Sequence, residues 1–135
     1  MMRALVLCLS LLVPTIGQAQ ERPANPEIEA VISGQMQAFR DADVSGAFEY
    51  AAPVIRRMFG TAENFGMMVE RGYPMVWQPG EVTFGALREE RGGLWQKVYV
   101  RDGAGALHVL DYEMKDVAGT WRIGGVIVLD ESLSA

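Results

Sequence analysis

The spacing of apolar residues changes once along this chain, and that change limits the folds open to it. Between residues 26 and 72 apolar residues recur every three or four positions. Ile28, Val31, Ile32, Met36 and Phe39 come first, then Val44, Ala47, Phe48 and Ala51, then Phe65, Met68 and Val69. From Met75 onward the period is two. The first spacing builds an apolar stripe on a helix, and the second an apolar face on a strand. Helices that precede all the strands, on one face of an antiparallel sheet, predict a two-layer α+β domain.

Local signals set the helix ends. Asn25-Pro26-Glu27 combines an Asn N-cap, Pro at the first helical position and an acid near the positive helix end, so a helix is expected over 26–41. Asp43 caps a second helix that Pro53 ends, and residues 53–58 add a short helical turn. Thr61 caps a third, stopped at Gly72. Tyr73-Pro74 is read as the start of an extended segment. The result is three N-terminal helices followed by a curved antiparallel sheet of about four long strands: 81–89, 94–102, 106–114 and 120–129.

The register follows if the first two hairpins each use a three-residue loop ending in a left-handed Gly, at Gly92 and Gly105. Val100 then faces Val82 and His108, Val98 faces Phe84 and Leu110, and Gln96 faces Ala86 and Tyr112. On the other face Lys97 lies across from Asp111, and Arg101 from Glu81. That outer face carries Leu87, Trp95, Tyr99, Leu107 and Val109, joined by Val126 if Gly124-Gly125 does not bulge the last strand. Such a strip predicts a homodimer through the outer sheet face, unless the charges between interrupt it. Trp121, on the face of Ile123, is expected to be buried between sheet and helices.

The N-terminus reads as an address. Arg3 precedes a nearly unbroken apolar run from Ala4 to Val13, and Gly17-Gln18-Ala19 offers small residues for cleavage after Ala19. Residues 1–19 are therefore expected to be a secretory signal peptide, since the run is shorter than the roughly 20 residues a membrane span needs. Export to the periplasm or medium follows, with residues 20–25 a disordered leader, 26–130 the domain and 131–135 a tail. Cys8 lies within the signal, so the mature domain has no thiol or disulfide chemistry. Without Arg3 the chain keeps 11 Lys and Arg against 17 Asp and Glu, a net charge of −6. An acidic, mixed surface argues against nucleic acid and anionic lipid as partners. No second apolar segment of spanning length follows.

Three helices, then a meander ending in Gly119-Thr120-Trp121-Arg122-Ile123, resemble the cone-shaped, cystatin-like fold of the nuclear-transport-factor-like superfamily, which includes ketosteroid isomerase and the polyketide cyclases. Ile55-Arg56-Arg57-Met58-Phe59-Gly60, Arg71-Gly72-Tyr73-Pro74-Met75-Val76-Trp77 and Leu110-Asp111-Tyr112-Glu113-Met114 resemble, more narrowly, domain-of-unknown-function family 4864. The narrow resemblance implies no activity. The broad one implies a fold with a pocket, and no reaction, because one fold hosts many chemistries.

Few residues can carry chemistry inside such a cone. His108 is the single histidine, which removes any two-histidine metal or acid–base arrangement. It is either a general base or a hydrogen-bonded histidine at a sheet end. Tyr112 and Gln96 either bind a ligand carbonyl or oxyanion, or bond each other or Gln35. Gln35, Gln96, His108 and Tyr112 are thus the candidate pocket residues. Arg56-Arg57 either contacts an anion at the mouth or is solvated or paired locally. No zinc spacing, nucleophile motif or phosphate loop is present, and no cofactor or metal is expected. Three readings remain: a non-catalytic module binding a small apolar or amphipathic ligand, an isomerase or dehydratase using Tyr112 with His108, and an interaction domain with a filled cone.

Overall fold

The computed structural model describes residues 19–129. The expected signal peptide, apart from Ala19, and the tail at 131–135 lie outside the described residues. Five helices precede a meander: α1 (Pro26–Arg40), α2 (Val44–Glu49), α3 (Pro53–Phe59), α4 (Ala62–Gly72) and α5 (Pro74–Trp77). The strands are β1 (Gln20–Arg22), β2 (Val82–Glu90), β3 (Gly93–Arg101), β4 (Leu107–Val117) and β5 (Thr120–Leu129). They form one antiparallel sheet in the order β1-β2-β3-β4-β5. The molecule is α+β: the helices lie between the short edge strand β1 and the meander β2–β5 of an open five-stranded sheet.

The caps act as their residue types require. Asn25 accepts from the amides of Glu27 and Ile28, Asp43 from Gly46, and Thr61 from Asn64. Each satisfies helix-start donors that have no partner within the helix. Ile28, Ile32, Met36 and Phe39 line one face of α1 and are almost fully buried. Phe65 on α4 gathers Phe39, Phe48 and Phe59, with ring centroids 5.8, 5.4 and 5.7 Å away. Val98, Val100, Leu110, Tyr112 and Met114 close the core from the sheet.

Several expectations need correction. Tyr73-Pro74 opens the one-turn helix α5, with the amides of Val76 and Trp77 bonded to the Tyr73 carbonyl, and not a strand. A short apolar run has the same appearance in either conformation. Gln20–Arg22 pair with Leu87–Glu89 as an edge strand, where a disordered leader is expected.

Two bulges account for the register corrections. The β3–β4 hairpin has the expected three-residue loop, with Gly105 at φ +85°. The β2–β3 turn has only two loop residues, Arg91 and Gly92, at φ +51° and +73°. Two consecutive left-handed residues match the right-handed twist of the flanking strands. The displaced residue is absorbed as a bulge between Phe84 and Leu87. Beyond the bulge Gln96 faces Leu87 rather than Ala86. Leu87 therefore turns into the core, and Arg88 takes its place on the outer face. A second bulge, at Gly124, turns Val126 to the inner face opposite Tyr112. Leu87 and Val126 thus leave the predicted outer strip. Trp121 is only half-buried, at the margin of the core rather than inside it.

The outer face pairs its charges differently as well. Arg88 reaches across β3 to grip Asp111 with two bonds, of 3.1 and 2.8 Å. That is the fork-on-carboxylate geometry guanidinium favours. Lys97 lies across from Asp111 as expected, but the carboxylate pairs with Arg88. Arg101 donates to the Gly105 carbonyl, while its amide bonds the main chain of Glu81.

Candidate functional site

Between the helices and β5 lies a cavity of about 530 Å3. Gln35 and Phe39 on α1, Ile55, Met58 and Phe59 on α3, and Phe65, Met68 and Val69 on α4 form three walls. Ala51, Tyr73 and Val76 fill the gaps, and Ile123–Val126 supply the floor. The lining is almost wholly apolar, and the volume is in the range of small-ligand sites. Met58 is 69% exposed and also lines the cavity, which places this flexible side chain at the mouth.

Two local features keep the space open. Tyr50–Ala52, between α2 and α3, lie alongside β5: the Ala52 amide donates to the Ile123 carbonyl and the Ile123 amide to the Tyr50 carbonyl, each at 2.8 Å. This clamp fixes the start of α3 beside β5. The Gly124 bulge then bends β5 at the floor, since a bulge adds twist and kinks its strand.

Of the four pocket candidates, Gln35 lines this cavity, and Gln96, His108 and Tyr112 are not among its walls. Gln35 is 3% exposed and donates through Nε2 to the Ala47 carbonyl at 3.2 Å. Gln96 donates through Nε2 to the carbonyls of Gly85 and Lys97, both at 2.9 Å. It thereby satisfies main-chain oxygens beside the β2 bulge. A Cβ at Gly85 would fall 2.7 Å from the Tyr99 ring and force that ring to shift. Tyr112 is fully buried, and its hydroxyl has no partner among the described residues. Burial pushes its ionisation well above the usual phenol range.

His108 sits at the start of β4, with Nε2 2.8 Å from Asp102 Oδ2. The other Asp102 oxygen accepts from the amides of Ala104 and Ala106. The bond to His108, followed by that to the Ala106 amide, holds the Asp102 carboxyl below its ordinary value. Arg56 is engaged in the fold: it donates to the carbonyls of Ala51 and Glu49 and lies over the Phe48 ring. Arg57 is exposed. On the outer face Trp95 is buried within its own chain, donating to the Glu90 carbonyl beneath the Arg91 guanidinium, while Tyr99 is half-buried.

The cavity walls that sequence reasoning missed include Ile55 and Phe59. Ile55 and Phe59 are four apart on α3, which is the available signal. Residues 53–58 read alone indicate a short helical turn, as α3 is, but not that it is a cavity wall. Among the described residues, no cluster of three or more His, Cys, Asp or Glu could hold a metal. No described helix is long and apolar enough to cross a membrane. No curated protein and no solved structure matches the chain. Residues 21–135 match the family described as domain of unknown function DUF4864, and because that match spans most of its length, the chain belongs to this family.

Proposed function

We propose that the chain is an exported, non-catalytic module that binds a small apolar or amphipathic ligand between the helices and β5, on a fold of the nuclear-transport-factor-like cone type. The observation that carries this reading is the roughly 530 Å3 apolar cavity with Met58 at its mouth. Gln35 and the half-buried Tyr73 are the polar side chains of its lining, enough to orient a ligand through one hydrogen bond. Against the isomerase reading stands placement: neither Tyr112 nor His108 belongs to the lining. Export is supported by a family match that begins at residue 21, two residues beyond the expected cleavage point.

A fluorescent polyene fatty acid titrated into the mature protein tests the ligand site. Val126→Trp, which pushes an indole into the cavity floor, should weaken binding at least about tenfold. Equal binding by a folded Val126→Trp variant would place the ligand elsewhere.

A further inference from the structure

The mouth of the cavity adjoins an open sheet edge. Ile123 turns its amide and carbonyl away from β4, toward Ala52 and Tyr50. These directions alternate along a strand, and the extra residue at Gly124 advances the alternation by one. Gly125 and Ile127 therefore bond toward β4, while Val126 and Val128 direct their N–H and C=O outward. Among the described residues nothing pairs with them.

Sheet edges are usually blunted by charge, proline or short length. The stretch Gly125-Val126-Ile127-Val128-Leu129 has none of these charges or prolines. Ile127 and Val128 are 40% and 43% exposed. Across the cavity mouth α3 exposes Val54 and Met58, one turn apart on the same helix face. The chain itself already uses the first position of this edge: Tyr50–Ala52 bond to Ile123 through a single parallel bridge at Ala51, then leave it at Pro53.

We propose that the amphipathic ligand of the cavity is a short extended peptide segment, added to the free edge of β5 beyond Ile123, with apolar side chains of alternate residues seated in the cavity. This rests on the cavity being a ligand site, as proposed above, and names the ligand class. An incoming strand continues the pairing that Tyr50–Ala52 begin. Main-chain bonds to Val126 and Val128 supply affinity, and the cavity selects bulky apolar side chains at every second position.

The probe is a blocked seven-residue peptide alternating threonine with valine around a central phenylalanine, titrated into the mature protein beside the polyene fatty acid. Val128→Pro removes an outward N–H without touching a β4–β5 bond. It should weaken the peptide about tenfold and leave the fatty acid unchanged. The same peptide N-methylated at alternate amides should lose binding to the wild type, which keeps the test decisive if Val128→Pro does not fold. Fatty acid bound without peptide, or a peptide insensitive to both changes, overturns strand addition and leaves the cavity site standing. Neither ligand bound overturns both. A dimer dissolved by Val128→Pro but not by the peptide assigns the edge to a second copy and overturns the proposal.

Discussion

At the residue scale, the polar groups inside and beside the core separate structural from ligand-facing roles. The Tyr112 hydroxyl is buried without a partner among the described residues. Removing an unsatisfied group of this kind costs nothing and can relieve about 1 kcal/mol of desolvation. Tyr112→Phe is expected to unfold at an equal or higher denaturant concentration. A loss above about 1 kcal/mol would mean that the hydroxyl is engaged after all. Asp102 carries the acid sensitivity of the β3–β4 loop. Its carboxyl is held below the ordinary 3.8 in the folded chain, first by His108 and then by the Ala106 amide. Its stabilising contribution is therefore complete above the unfolded-state value and disappears as pH falls through the lower folded value. Chemical denaturation of wild type and Asp102→Asn should differ near neutral pH and converge on acidification. A difference that grew toward low pH would reverse the sign.

At the scale of elements, the β2 bulge governs which side chains enter the core. A two-residue turn at Arg91-Gly92 and one extra residue before Leu87 send Leu87 inward and Arg88 to Asp111. Gln96 holds that arrangement by bonding the Gly85 carbonyl from inside. Gln96→Leu keeps the volume but strands two carbonyls, so it should cost about 1–3 kcal/mol in a denaturant titration. Loss of Gly85 and Leu87 amide protection in hydrogen exchange should accompany it. A neutral Gln96→Leu would show that the bulge holds without this bond. The helix caps at Asn25, Asp43 and Thr61 were legible in the sequence, because capping is chemistry between residues two or three apart. The bulge was not legible, because two- and three-residue loops ending in Gly92 differ only in how distant strands pair.

At the scale of the whole molecule, the proposed leader predicts a defined mature start. N-terminal sequencing of the exported protein should read Gln20 first, which leaves β1 intact at the sheet edge. An exported chain that starts at Met1 would refute cleavage. The order of layers, the strand pairing around Val98 and Val100, and the family were determined by the sequence itself, through apolar period, turn residues and local motifs. Those signals act between near neighbours or repeat along one element. Only the tertiary structure decided that α3 is a cavity wall, that Gln96 belongs to a bulge and that His108 belongs to Asp102. A cavity is the space left where α1, α3, α4 and β5 fail to meet. Its size depends on the clamp of Tyr50–Ala52 on Ile123, a contact between residues about seventy positions apart that no local pattern encodes.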